Sequence, residues 1–142
     1  MQTVKAKEEV YKIDPKDIVR EVCNYYEVSP SQLFGTSRLK DIVRARYVAF
    51  YLIREHARMP LNRIGKMALK YSRKCAFNHA TILHGVNIIK EDLDKSPHVT
   101  FEVRFIEKQI MYYKVVLDYE DRVNYKYLLD RIERLEELIS PS

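Results

Sequence analysis

The sequence predicts an all-α fold, and three observations support this. The 142 residues include only 3 Gly and 5 Pro, and helix-favouring Lys, Arg, Glu and Leu are frequent. Apolar residues recur at steps of three and four, which is the spacing of an amphipathic helix. Neither Gly nor Pro occurs between Thr100 and Ser140. The length suggests one domain, or one domain with an extension.

The first two helices are predicted from a polar residue followed by proline. Residues 1–13 show no clear period and are interpreted as a tail or a single packed strand. Asp14-Pro15 supplies a capping acceptor and then proline at the first helical position of a helix that runs to about Glu27. Ser29-Pro30 repeats this signal for a short second helix, which Gly35 is expected to end.

A third and a fourth helix follow a basic loop at residues 37–40. The third runs from Asp41 to about Arg58 and is apolar around more than half of its circumference. A helix of this kind is usually central, because several neighbours cover it. Pro60 then opens a fourth helix from Leu61.

The fifth helix is predicted from Asn78, a suitable N-cap, to about Lys95. The outward face of its first turns carries Asn78, His79, Thr81 and His84. In a helix-turn-helix domain, the recognition helix presents its base-contacting residues at this point. The predicted domain therefore comprises residues 14–95.

Residues 96–142 are predicted to form a helical extension. Two apolar stripes, eleven residues apart, consist of Val103, Ile106, Ile110, Tyr113 and Leu117, and of Leu128, Ile132, Leu135 and Ile139. The stripes indicate either one long helix or a helical hairpin that turns at 118–121. Because such a stripe needs a partner, residues 101–139 are expected to fold back on the domain, form a homodimer or bind another protein.

Positive charge is concentrated in the middle of the chain. Residues 37–79 contain eleven Lys and Arg but only two acidic residues, which gives a charge of +9. Because the whole chain carries +5, the remainder carries −4. A positive centre between acidic flanks is typical of a surface that binds phosphate, although a solvated basic surface is the simpler alternative.

The sequence contains no pattern that indicates an enzyme, a metal site or a cofactor. It lacks a P-loop, a dinucleotide fingerprint, a G-x-S-x-G elbow and an H-E-x-x-H motif, so no catalytic residue and no nucleotide are predicted. Cys23 and Cys75 fit neither a zinc site nor a disulfide framework. No membrane span or signal peptide is expected, and a cytoplasmic location, bacterial or mobile-element encoded, is predicted.

Four ordered segments resemble a known family. They are VCNYYEVSPSQLFG, SRLKDIVRARYVAFYLIRE, LNRIG and FNHATILHGVNIIKE. In order and spacing they are similar to the C-terminal DNA-binding domain of the bacterial replication initiator DnaA, over about residues 15–93. The resemblance implies a Trp-repressor-like helix-turn-helix. It does not extend to the ATPase module of that family, for which the chain has no P-loop.

The resemblance implies roles for particular residues. A basic loop residue of the family enters the minor groove, and Arg38 or Lys40 matches it. The R-x-R pair of the family contacts phosphate, and Arg44 and Arg46 match it. In the recognition helix, His79 and Thr81 match residues that face the major groove. His84 matches a later histidine that is either a DNA contact or structural.

The sequence also departs from the family pattern. Phe77, Asn78 and Ala80 replace an Arg, an Asp and a Thr, so a changed DNA target is expected. Asn78 has two interpretations, an adenine contact or a helix cap. About six additional residues precede Phe77. Their basic residues are Lys70, Arg73 and Lys74, interpreted as a phosphate clamp or as a longer, solvated end of the fourth helix.

These observations predict a protein that binds double-stranded DNA with sequence preference. The basic loop and the R-x-R pair would hold the phosphates, and the helix at 78–95 would enter the major groove. The alternative is a protein–protein interaction module in which DNA reading has decayed and the helical tail is the functional part.

Overall fold

The computed structural model describes residues 13–71 and 74–139, except for the side chains of 115–129, 131, 135, 138 and 139. All regular secondary structure within these residues is helical, which confirms the all-α prediction. The α-helices are α1 (Pro15–Tyr26), α2 (Pro30–Leu33), α3 (Lys40–Leu52), α4 (Leu61–Met67), α5 (His79–Lys95) and α6 (Pro97–Ile139). A π-helical turn at Ile53–Ala57 continues α3, and a 3-10 turn at Ala68–Lys70 continues α4.

Local capping explains why α1 and α2 begin where the sequence predicts. The Asp14 carboxylate accepts a hydrogen bond from the Lys16 amide at 2.9 Å, and Pro15 is the first helical residue. Ser29 and Gln32 form a reciprocal capping box, with bonds of 3.1 and 3.0 Å. Each such cap stabilises the helix by about 1 kcal/mol, because it satisfies backbone amides that have no partner inside the helix.

The predicted end of α2 before Gly35 is confirmed, although Gly35 does not adopt the left-handed conformation that glycine often has at such a position. Helix α2 ends at Leu33, and none of the described glycines has a positive φ. The left-handed residues are Glu27, which ends α1 at a φ of 55°, and Arg58, which follows the π-helical turn. The predicted end of α1 at about Glu27 is therefore confirmed, although its backbone conformation is one that glycine usually supplies.

Helix α3 is the centre of the domain, as its wide apolar surface predicts. Along it, Ala45, Val48, Ala49, Phe50 and Leu52 are fully buried. Helices α1, α2 and α5 pack against it. Their side chains in the shared core include Ile18 and Val22 of α1, Leu33 of α2, and Ile82 and Ile89 of α5. Burying each of the larger side chains stabilises the fold by about 1.5–3 kcal/mol.

The backbones of α4 and α5 meet at Gly65. The Phe77 amide donates to the Gly65 carbonyl at 3.1 Å, and a Cβ atom at Gly65 would lie 2.4 Å from the Phe77 carbonyl oxygen. Only glycine permits this approach. The additional residues lie between these two contacting positions, Gly65 in α4 and Phe77 just before α5. They therefore lengthen the connection without separating α4 from α5.

The sequence left two alternatives for the extension, one long helix or a helical hairpin. The structure has one helix, α6, from Pro97 to Ile139. Its first turns belong to the domain core, because Val99, Val103, Ile106 and Ile110 are buried there. The first compact unit ends at Ile110 and the second begins at Met111. The folded core thus extends past the predicted domain boundary at residue 95, since the apolar stripe of α6 contributes to it. Of the predicted tail, residues 1–12 lie outside the described residues, whereas Ile13 is buried in the core.

Candidate nucleic-acid interface

The first turn of α5 is the centre of the candidate interface. Ile82 and Val86 face the core, while Asn78, His79 and Thr81 are exposed. The Asn78 side-chain oxygen accepts a hydrogen bond from the Ala80 amide at 2.8 Å. Asn78 is thus the helix cap, one of its two predicted roles. The cap fixes the first turn from which His79 and Thr81 project.

The basic loop lies beside the other end of the same helix. Arg38 and Lys40 are exposed, and they line a groove between α3 and α5. Its other walls come from Arg44 and Tyr47 of α3 and from Ile88 and Asp92 of α5. Because α3 and α5 run in opposite directions, the loop meets α5 roughly ten residues after its first turn. At 1.5 Å per residue this is about 15 Å along the helix.

The two arginines of the R-x-R pair have different surroundings. Arg44 is partly exposed and lines the groove, and its Nε lies 3.6 Å from Oε2 of Glu102 on α6. Arg46 is only 7% exposed. Residues two positions apart on a helix do not share a face, so one arginine of such a pair can reach the surface while the other faces inward. That spacing was the sequence signal for the difference.

Arg46 binds backbone carbonyls of α2 and of the loop before α3. Its Nε donates to the Leu33 carbonyl at 2.7 Å, one terminal nitrogen to Ser37 at 3.0 Å and the other to Gln32 at 3.4 Å. The guanidinium also lies 5.6 Å from the ring centre of Phe77. The phosphate role predicted for Arg46 therefore meets a physical obstacle, because the planar fork is already engaged inside the fold.

Phe77 has a structural role where the family pattern has an arginine. Its ring packs edge-on against Phe50 at 5.3 Å between centres, and the residue is buried. The substitution thus adds a side chain to the core immediately before α5. Arg46 and Phe77 together tie the start of α5 to the basic loop.

The remaining predicted residues lie on α5 or in the connection before it. Lys70 and Lys74 are exposed in the connection before it, and Arg73 lies outside the described residues. Tyr71, in the same connection, stacks on Phe34 at 5.1 Å between ring centres. His84 is exposed but contacts the Tyr47 ring edge-on at 5.8 Å, which favours the structural interpretation of this histidine.

Two acidic residues of α6 join it to the domain, and the sequence analysis did not identify them. Glu102, which is 8% exposed, accepts a hydrogen bond from the Tyr26 hydroxyl at 3.0 Å. Glu107 lies 2.6 Å from Nε2 of His56 and also pairs with Arg104. The signal for Glu102 was its position, three residues after Val99 and four before Ile106, on the inward stripe.

Burial and charge shift the pKa values of groups around these contacts. Burial, assisted by the Glu102 carboxylate, raises the pKa of Tyr26, so its hydroxyl remains a donor. Burial opposes the ionisation of Glu107, but hydrogen bonds from His56 and Arg104 outweigh it and lower the pKa of Glu107. Burial raises the pKa of the Cys23 thiol to about 11, so this cysteine is not a reactive nucleophile.

The described residues contain neither a cluster of metal ligands nor a membrane span. Among them, no three His, Cys, Asp or Glu side chains come together as metal ligands. Within the same residues, no helix combines the length and the apolar character needed to cross a bilayer.

The fold defines a helix-turn-helix domain, with α4 and α5 as the helix pair and α3 behind them. The chain belongs to the bacterial DnaA helix-turn-helix family, whose model matches residues 15–89. It is 36% identical over 83 residues to the chromosomal replication initiator protein DnaA of Oleidesulfovibrio alaskensis, covering 58% of this chain and 16% of that protein.

Two further DnaA proteins give similar matches. The protein of Thermomicrobium roseum is 30% identical over 98 residues, and that of Deinococcus radiodurans is 32% identical over 99 residues. These matches cover 69% and 70% of this chain and 20% of each relative. The chain therefore spans about a fifth or less of the length of the relatives it matches.

Proposed function

We propose that this protein binds double-stranded DNA with sequence preference, in the bacterial cytoplasm. One observation carries the proposal: exposed side chains suited to two neighbouring grooves border the same helix, α5. His79 and Thr81 project from its first turn, and Arg38 and Lys40 lie beside its later turns. The two groups are about 15 Å apart along α5. This is close to half of the ~34 Å helical repeat of DNA, and half a repeat is the distance from a major groove to the next minor groove.

Each group has a role that fits its chemistry. His79 and Thr81 contact base edges in the major groove, and the cap at Asn78 holds their turn in place. Arg38 and Lys40 reach the minor groove. Arg44, Lys70, Arg73 and Lys74 contact phosphates. Arg46 holds the loop from inside the fold, in place of the phosphate contact that the resemblance implied.

The family membership supports DNA binding but leaves the biological process open. The relatives are named as chromosomal replication initiators, and this chain matches only a small part of each. We therefore propose the binding activity of the matched domain and not initiation of replication. We propose no nucleotide, cofactor or catalytic reaction for the chain.

A second candidate function involves the rest of α6. In the second compact unit, Met111, Tyr112, Tyr113 and Ile132 are apolar and exposed. They favour contact with a second copy of the chain or with another protein. Within the predicted homodimer surface at 101–139, Val103, Ile106 and Ile110 are already buried in the domain and are not available to a partner. Sedimentation of the intact chain tests this candidate, and a monomeric mass would exclude the homodimer.

The main proposal is tested by the salt dependence of binding to duplex DNA. Each phosphate contact contributes about −0.9 to the slope of log affinity against log salt concentration, so several contacts predict a steep slope. Changing Lys70 or Lys74 to Ala should reduce the slope by about one contact each, whereas Lys108→Ala, at an exposed position of α6, should leave it unchanged. A flat slope for the parent protein would contradict DNA binding.

Sequence preference needs a separate measurement. A pool of random duplexes selected by the parent protein and by His79→Ala should yield different consensus sequences. The same consensus from both proteins would exclude His79 as a base contact.

A further inference from the structure

We propose that Glu102 is a positioning residue for DNA binding, which holds Arg44 so that its guanidinium faces phosphate. This inference rests on the proposed function. It assigns a role at the interface to α6, which lies beyond residues 15–89 matched by the family model.

The Glu102 carboxylate is buried between three helices. From α1, the Tyr26 hydroxyl donates to Oε2 at 3.0 Å, and from α3, the Arg44 Nε lies 3.6 Å from the same oxygen. From α6 itself, Nε2 of the exposed His98 lies 3.2 Å from Oε1. A buried carboxylate is stable only with compensating donors and charge. Arg44 is the permanent cation among these three groups, so the ion pair fixes both partners.

The contact uses only one part of the Arg44 side chain. A guanidinium carries five N–H donors in a planar fork, and the Nε–H is the one nearest to Glu102. The two terminal nitrogens carry the other four, which is the arrangement that binds a phosphate with two parallel hydrogen bonds. Arg44 is still 35% exposed, so the fork is accessible.

Arg44 faces the groove, whereas Glu102 lies behind it. Arg44 lines it together with Arg38 and Lys40, and Glu102 is not among the lining residues. Asp41 and Asp92 also line the groove, so a phosphate there would meet three cations and two carboxylates, and Glu102 would not add a third carboxylate to that surface. Holding a long side chain in place before binding reduces the entropy lost on contact, which is a general source of affinity.

The test is a double-mutant cycle with Arg44→Ala, Glu102→Gln and the double variant, measured as affinity for a short duplex at fixed salt concentration. Glu102→Gln should weaken binding about fivefold in the parent protein and less than twofold when Arg44 is already Ala. Tyr26→Phe is the matched control. It removes a neighbouring hydrogen bond but keeps the carboxylate beside Arg44, so DNA affinity should change less than twofold.

A variant on the exposed side covers the case in which Glu102→Gln does not fold. Arg44→Lys keeps the positive charge but loses the planar fork. If positioning matters, it should weaken binding nearly as much as Arg44→Ala. If Arg44→Lys binds as the parent does, charge alone is sufficient and the inference is wrong.

The remaining outcomes separate this inference from the proposed function. Tighter binding by Glu102→Gln would make Glu102 a competitor of phosphate and would overturn the positioning role. Equal losses in both backgrounds would also overturn it, because Glu102 would then act through the fold. If Arg44→Ala weakens binding and Glu102→Gln does not, the positioning role falls and the DNA-binding function stands. If Arg44→Ala binds normally, the phosphate role of Arg44 falls, and the inference falls with it.

Discussion

The chain up to Lys95 and the first turns of α6 contribute to one core in different ways. Up to Lys95, several helices begin at side-chain caps such as Asp14, Ser29 and Asn78, so the sequence shows where they start. The first turns of α6 are joined to the domain by contacts with residues far away in the sequence. Glu102 reaches Tyr26, and Glu107 reaches His56.

The difference shows how far the folded unit extends. Family membership extends to residue 89, whereas the core extends to Ile110. A stripe at helical spacing identifies the face of α6 that is buried, but the spacing alone does not identify the partner. The following predictions test whether the two regions depend on each other, from the largest expected effect to the smallest.

Ending the chain at Lys95 should unfold the domain. This removes Val99, Val103, Ile106 and Ile110 from the core, and at about 1.5–3 kcal/mol for each buried side chain the loss approaches the whole stability of a typical domain. Circular dichroism during heating measures the effect. A chain ending at Lys114 keeps all four residues and should melt cooperatively. If the chain ending at Lys95 does so as well, α6 is not part of the folded unit.

Substituting the two arginines of α3 should have different effects, one mainly on stability and the other mainly on DNA binding. Arg46→Ala leaves buried backbone carbonyls without donors, and at about 1–3 kcal/mol for a buried unsatisfied group it should lower the free energy of unfolding by about 3 kcal/mol. Arg44→Ala should cost less than about 1 kcal/mol, because Arg44 is partly exposed, but it should weaken DNA binding. Urea denaturation and duplex binding, measured on both variants, test this. Equal stability losses would contradict the assignment.

The helix starts and the recognition helix could be predicted from the sequence because their causes are local. Asp14-Pro15, Ser29-Pro30 and Asn78 each satisfy backbone amides within three residues, and no distant contact is needed to recognise them. The central position of α3 followed from its wide apolar surface for the same reason. The exposure of His79 and Thr81 followed from the helical period once the cap at Asn78 was assigned.

The features that were not predicted depend on contacts between distant residues. Arg46 was assigned from a motif, but Phe77 and the carbonyls before α3 surround it, and those positions follow only from the packed structure. Gly35 follows the end of α2 as expected, but without a left-handed backbone. The glycine whose missing side chain matters most in this region is Gly65, because the backbone of Phe77 occupies the space of a Cβ atom.

Acid should weaken the junction of α6 with the domain at Glu107. The pKa of Glu107 is lowered in the folded protein, so this carboxylate stabilises the fold above its ordinary pKa of 4.5, and that stability is lost as the pH falls through the folded value. Unfolding by urea, measured from pH 7 down to pH 3, should show a smaller loss of stability for Glu107→Gln than for the parent protein. Identical pH profiles would exclude Glu107 as a source of acid sensitivity.

The smallest expected effect concerns the cap of α5, and it decides between the two roles of Asn78. Asn78→Ala should lower the free energy of unfolding by about 1 kcal/mol, because the Ala80 amide loses its acceptor. Asn78→Ser keeps a capping oxygen but lacks the amide that would bind an adenine edge. In thermal denaturation, the Ala variant should therefore melt at a lower temperature than the parent protein and the Ser variant.

Selection of duplexes from a random pool then tests the adenine contact. If Asn78 is only a cap, the Ser variant should select the same consensus as the parent protein. A change confined to one base pair would show that Asn78 also contacts DNA. In that case Asn78, whose capping signal identified the start of α5 correctly, would have two roles. It would cap the helix and also contact a base.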